Sequence, residues 1–297
     1  WPHGDSLLFV LSSAQVMYAY VMRPDSIPRS YNKFIVKCGP IDEVVLAGVR
    51  ANRRHQPVAV EELRAYVVRR SREPGLFGRL RSPALSPAAA RAILPTATPA
   101  RLPCSVLHPH NASCRRQYLW TFIKTFKVAL PVYATLAFVP AVVLRFPRFA
   151  RKPLAVLLRA AASSLRSASF LAAFCSGYMA FVCGYRNLLP AKRFGDHKFW
   201  YFVAGLFGPL AIFLEQKSRR AELAMYVFPR AADSLYRLLL DRRLMFRFGQ
   251  PGDCALFGAS MGVILHFLKH ERGGMGKLLK KVLDRFVNVS AKPQYNV

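Results

Sequence analysis

Nineteen residues from Ser167 to Tyr185, SASFLAAFCSGYMAFVCGY, run without a charge between Arg166 and Arg186. At 1.5 Å per residue, that length matches the ~20 residues needed to cross a hydrocarbon core of about 30 Å as a helix. A helix buried in a soluble core seldom needs so much uninterrupted apolar sequence. Similar windows occupy Ser6–Met22, Val128–Leu144, Phe199–Leu214 and Cys254–Leu268, each between charged residues. Backbone amides and carbonyls in lipid must be satisfied within the chain, which helices do. The expected fold class is therefore all-α: a polytopic helical membrane protein, packed through small residues, with about four to six helices here.

The chain of 297 residues carries a formal charge of +29. Such a balance first suggests nucleic acid, because Lys and Arg displace counterions from phosphates. Here the bases sit between apolar blocks rather than along one stripe, and no zinc-finger, RRM or KH signature is present. Basic loops beside apolar helices suit anionic headgroups instead, so the expected partners are membrane lipids and not nucleic acid. A homo-oligomer or other membrane proteins are further candidate partners. All principal loops are basic, so the charge bias sets no orientation.

Residues 4–16 read GDSLLFVLSSAQV and residues 252–264 read GDCALFGASMGVI. Gly4/Gly252, Asp5/Asp253, Leu8/Leu256, Phe9/Phe257 and Ser12/Ser260 coincide at one offset, which suggests an internal repeat. Each segment reads as a helix opened by Gly-Asp, the Asp favourable at the positive end of the helix dipole. With the first residue Trp1 and no initiator Met, the chain reads as a piece of a longer polypeptide. The expected organisation is residues 1–36 as the last helix and tail of an upstream repeat, and 37–103 as a connector. A complete repeat over 104–287 and a tail over 288–297 follow. From Arg23 to Arg116 there are 17 Lys/Arg against 6 Asp/Glu. Pro83, Pro87, Pro95, Pro99 and Pro103 punctuate an Ala/Ser-rich stretch, so the connector is expected to be largely irregular. Val58–Arg70 reads as a short amphipathic helix, either on headgroups or in solvent.

Within the expected repeat, Lys124 and Lys127 stand one turn apart before Pro131 and Pro140. Charges at membrane depth are costly unless they snorkel, pair or face a wet cavity. Both lysines are expected at headgroup level, with a cavity-lining role for Lys127 as the alternative. Asp233 and Arg237, four apart, can shield each other. Gly205 and Gly208 in one window, and Gly258 and Gly262 at G-x-x-x-G spacing in another, are the candidate helix-packing residues. Glu215, Lys217, Arg219 and Arg220 form a charge knot that would anchor or gate a helix end.

Cys104, His108, His110 and Cys114 make C-x3-H-x-H-x3-C, four ligand types that suit tetrahedral zinc at a spacing unlike standard zinc frameworks. A Cys104–Cys114 disulfide and two free thiols are the competing readings, and no cofactor is expected. Cys175 and Cys183 read as small apolar fillers. His266 and His270 at i,i+4 lack the Glu of H-E-x-x-H, and suit the negative end of a helix. The sequons at Asn111 and Asn288 are short patterns that arise often by chance. No Walker loop, Rossmann fingerprint, G-x-S-x-G elbow or paired membrane carboxylates occur, so no enzyme is expected.

HPHNASC (His108–Cys114), KVALP (Lys127–Pro131), SASFLAAFCSGYMAFVC (Ser167–Cys183) and EQKSRRAELAMY (Glu215–Tyr226) together resemble the transmembrane protein 135 family, also called peroxisomal membrane protein 52. HGDSLLFVLSSAQVMYAYV with RSYNKFI (Arg29–Ile35) is similar to the closing helix and tail of a family repeat. The resemblance implies a duplicated multi-helix protein of peroxisomal and mitochondrial membranes, distantly similar to channel subunits that move proteins across the mitochondrial inner membrane. It implies links to lipid metabolism, peroxisomal cholesterol traffic and mitochondrial fission, with no established reaction. The expected function is a non-enzymatic scaffold or conduit; a membrane-bound metal enzyme and a lipid-binding contact protein are the alternatives.

Overall fold

The computed structural model describes residues 3–72, 85–95, 99–111, 113–143, 146–191, 195–247, 249–271 and 283–284. The described residues form helices and no strand, as the apolar windows require. Pro83, Asn288 and the 288–297 tail lie outside them. The chain forms two compact units, residues 1–238 and 239–297.

In the first unit, α1 (Gly4–Met22) leads through a 3-10 turn at Pro24–Ser26 into α2 (Arg29–Cys38). Then come α3 (Glu43–Arg53), α4 (Val60–Ser71), α5 (Pro87–Ile93) and α6 (Cys104–Leu107). The long helices are α7 (Cys114–Val143) and α9 (Pro153–Leu188), joined through α8 (Phe146–Arg151). Helix α10 (Lys198–Phe207) continues as a 3-10 segment, Gly208–Leu214, before α11 (Lys217–Asp241). The second unit holds α12 (Gly249–His270), which opens three residues ahead of the expected Gly252.

Among the described residues, four helices are long and apolar enough to cross a membrane: α1, α7, α9 and α12. The Phe199–Leu214 window forms the shorter apolar stretch Lys198–Leu214. Helices α7 and α9, 30 and 36 residues long, reach roughly 45 and 54 Å, so their ends project beyond a hydrocarbon core of about 30 Å. They run antiparallel. Ser164 Oγ donates to the Tyr133 carbonyl at 3.3 Å and Ser176 Oγ to the Tyr118 carbonyl at 3.0 Å, so later residues of one helix meet earlier residues of the other. Hydroxyl-to-carbonyl bonds of this kind fasten helices where apolar burial supplies little drive. Outward, α7 exposes Leu136, Val139 and Val143, and α12 exposes Leu256, Phe257 and Val263. Apolar surface on that scale calls for a lipid cover.

Residues 37–103 depart from the expected irregular connector. Helix α3 buries Val45, Leu46 and Val49, and α4 buries Leu63, Tyr66 and Val67, both at helical spacing. These side chains share one core with Tyr20 of α1, Tyr178 and Cys183 of α9, and Tyr201 of α10. The Val58–Arg70 helix thus turns its apolar face to protein, neither to headgroups nor to solvent. Even the proline-punctuated stretch contributes Ala90, Leu94 and Leu102 to that core. Polar bonds secure it: Tyr20 Oη donates to the Ile41 carbonyl at 3.0 Å, Tyr66 Oη to Asp42 at 2.7 Å, and Arg64 to the Leu94 carbonyl at 2.8 Å.

Candidate functional site

At one end of the α7–α9 pair, the first turn of α7 and the last turns of α9 meet because the helices are antiparallel. Pro103 caps α6, which presents Cys104 at its first position. His108 then folds the following turn back. Its Nδ1–H donates to the Asn111 carbonyl at 2.9 Å, and Asn111 Nδ2 donates to Gln117 of α7 at 2.7 Å. This places Cys104, His108, Cys114 and Cys183 with their ligand atoms all within 4.8 Å of one another. His108 Nε2 lies 3.5 Å from Cys114 Sγ, and Asn187 Nδ2 lies 3.5 Å from the same sulfur. His108 and Cys183 are buried, while Cys104 and Cys114 are half-buried.

The membership differs from the sequence expectation. His110 leaves the set and its ring lies 4.2 Å from that of Trp120. Burial pushes His110 down to about 3, with the Arg70 and His108 charges acting in the same direction. Cys183 takes its place, while also packing in the apolar core as expected. A hydrogen bond from Cys183, reinforced by His108 and Arg186, pulls the Cys104 thiol well below its ordinary range against the opposing effect of burial. No spacing rule links Cys183 to Cys114 across so long an insertion. The only local signal is that Cys183 precedes Arg186 and Asn187 at the end of the clearest span.

One turn beyond Cys183, buried Arg186 pairs with Asp196 and also donates to Tyr201 Oη and the Leu102 carbonyl. Asp196 further accepts from Tyr201 Oη at 3.1 Å, Asn52 Nδ2 at 2.9 Å and the Leu102 amide at 3.2 Å. Arg101 donates to the Leu189 carbonyl at 2.8 Å. This ionic knot, which the sequence did not announce, holds the chain leading to Cys104 against the end of α9.

A second feature lies deeper in the same unit: an apolar cavity of about 120 Å3 among α1, α2, α7, α9 and α11. Phe9, Val16, Tyr31, Phe170, Phe174 and Val227 line it, and Ser13 and Tyr178 belong to its wall. The Ser13 and Tyr178 hydroxyls are buried without a hydrogen-bond partner among the described residues. Half-exposed Phe34 and Tyr226 also line it, so its aromatic wall reaches the surface.

The remaining expected residues divide between contact and open space. A Cβ on Gly205 would stand 2.8 Å from Ala14 Cα of α1, and one on Gly208 would stand 2.8 Å from the Phe174 ring of α9. Gly258 and Gly262 face nothing within 4 Å among the described residues, so they make no such approach. Arg219 donates to Ser167 Oγ at 2.8 Å, and Arg220 to the carbonyls of Phe213 and Glu215 at 3.0 and 3.1 Å. Glu215 is buried and Lys217 exposed. Lys127 is exposed on α7 and is no part of the cavity wall; Lys124 instead donates to the Gly39 carbonyl at 2.9 Å. Asp233 and Arg237 pair at 3.1 Å, both substantially exposed. His266 and His270 lie ring to ring at 4.8 Å on the exposed side of α12.

Residues 103–240 match the family profile described as the N-terminal cysteine-rich region of Transmembrane protein 135. Over that region the chain is similar to the transmembrane protein 135 family. The matched span begins immediately before Cys104 and ends within α11, so it contains the whole Cys/His cluster and the α7–α9 pair. No solved structure matches the chain.

Proposed function

We propose that this chain is a member of the transmembrane protein 135 family and a non-enzymatic protein of peroxisomal or mitochondrial membranes that seats part of a lipid in its cavity. It would serve there as a scaffold or conduit linked to lipid metabolism and organelle dynamics. The observation that carries this reading is the cavity itself. Its wall is aromatic and aliphatic, while two buried hydroxyls, on Ser13 and Tyr178, have no hydrogen-bond partner among the described residues. A largely apolar pocket with a few polar groups suits an amphipathic molecule, and unpartnered buried hydroxyls cost stability until something bonds them. Of the helices that line it, α1, α7 and α9 are candidate spans, so lipid is the ligand in greatest local supply.

The test is photolabelling of the purified chain in vesicles doped with a photoactivatable fatty acid. Saturable labelling of α1 and α9 peptides around Ser13 and Phe174, displaced by unlabelled lipid and weakened by Ser13→Phe, is expected. Labelling confined to the outer face of α7 near Leu136 and Val139, with no competition, would remove the conduit reading.

A further inference from the structure

We infer that Cys104, His108, Cys114 and Cys183 form a structural zinc site that ties the α6 turn and the start of α7 to the end of α9. This goes beyond the lipid reading and does not depend on it. The ligand types are three thiols and one imidazole, the Cys3His set of closed zinc sites. With Zn–S near 2.3 Å and Zn–N near 2.0 Å, the edges of the tetrahedron are about 3.8 Å between sulfurs and about 3.5 Å from sulfur to nitrogen. The observed His108 Nε2 to Cys114 Sγ distance is 3.5 Å, and every other pair falls within 4.8 Å. No pair thus exceeds its tetrahedral edge by more than about 1.3 Å.

The surroundings fit as well. A zinc-bound histidine donates its other ring N–H to a carbonyl or carboxylate, which fixes the tautomer and aims the free nitrogen at the metal. His108 does this through Nδ1 and the Asn111 carbonyl at 2.9 Å. Asn187 Nδ2, 3.5 Å from Cys114 Sγ, is placed to donate to a metal-bound thiolate. Binding Zn2+ to three thiolates leaves one net negative charge, and the buried Arg186 guanidinium, itself paired with Asp196, lies one turn along α9 from Cys183. Four protein ligands leave no open coordination position, so the site holds the fold rather than activating a substrate. Binding requires only that the thiols still protonated lose their protons to solvent, with no oxidant or reductant.

Metal analysis of the full chain, purified in detergent with reductant, tests the assignment. About one zinc per chain is expected, with Cys183→Ser and His108→Ala losing it and His110→Ala retaining it. Asn187→Ala is expected to keep the metal but bind it about tenfold more weakly in a chelator competition. Because Cys183→Ser can fail to fold, the wild-type chain is also exchanged with Co2+, where thiolate-to-cobalt charge-transfer bands with a tetrahedral ligand-field spectrum are expected. A colourless cobalt mixture, a chain that takes up no zinc under reductant, a coloured iron–sulfur cluster in its place, or loss of metal in His110→Ala would each overturn it. So would a disulfide among these cysteines that persists in reductant.

Discussion

Arg186 and Asp196 form an ion pair whose side chains are only 2% and 1% exposed. Desolvating two charges is costly, and what offsets it here is the hydrogen bonds that Asp196 accepts from Tyr201, Asn52 and the Leu102 amide and that Arg186 donates to the Leu102 carbonyl, although Arg186 Nε has no partner among the described residues. Removing one partner leaves a buried charge with no counterion. Asp196→Ala should therefore cost ~3–5 kcal/mol, and pairing it with Arg186→Met should cost less than the two single changes added. Chemical unfolding in a constant detergent background checks both. An Asp196→Ala loss below about 1 kcal/mol would mean that the pair is wet and the clamp is not where stability resides.

The glycines divide by what a side chain would meet. At Gly205 a methyl group would press on the α1 backbone at Ala14, whereas at Gly258 and Gly262 it would enter open space. Overpacking costs ~1–3 kcal/mol, while replacing glycine in a helix by alanine gains up to about 1 kcal/mol of propensity. Gly205→Ala is expected to lower the thermal midpoint, and Gly258→Ala and Gly262→Ala to leave it level or raise it. The reverse ordering would show that α12, not α10, makes the close helix contact.

Arg219 and Arg220 act on different neighbours although they are adjacent. Arg220 satisfies carbonyls at the end of the 3-10 segment, where the last C=O groups of a helical turn otherwise lack donors. Arg219 reaches across to Ser167 and Ser163 of α9. Arg220→Ala should open the 208–216 segment to limited proteolysis, and Arg219→Ala should loosen α11 from α9. Exposed Lys217 is the internal control, and Lys217→Ala should match wild type in both assays. Equal protease sensitivity for all three variants would dismiss the anchoring role.

The spans were legible because lipid imposes a constraint that acts on unbroken sequence. Ser167–Tyr185 lies inside α9, and the Val128–Leu144 window contains the second half of α7, with its prolines inside the helix. What stayed hidden depends on contacts between distant segments. In α3 and α4 the density of arginine masked a helical stripe of Val45, Leu46, Val49, Leu63, Tyr66 and Val67 that packs on protein. The cysteine cluster was half legible. Cys104, His108 and Cys114 are close in sequence and stay close in space. His110, on the same short turn, stacks on Trp120 instead, and Cys183 arrives only because α7 and α9 run antiparallel. Spacing gives ligand types; topology decides which of them converge.

The metal site and the ion pair close the same loop, and this makes their effects interdependent. The Leu102 carbonyl and amide are held by Arg186 and Asp196, Cys104 follows two residues later, and Cys183 precedes Arg186 by one turn. Either fastening restrains the path from Leu102 to α9, so the loss of one leaves less for the other to hold. Chelating the metal should lower the thermal midpoint of wild type, and should expose the 99–111 segment to proteolysis. The combined loss for chelation in Asp196→Ala should fall short of the sum of the separate losses. Independent sites add to within about 0.5 kcal/mol, so strict additivity in this cycle would show that the two fastenings act on separate parts of the fold.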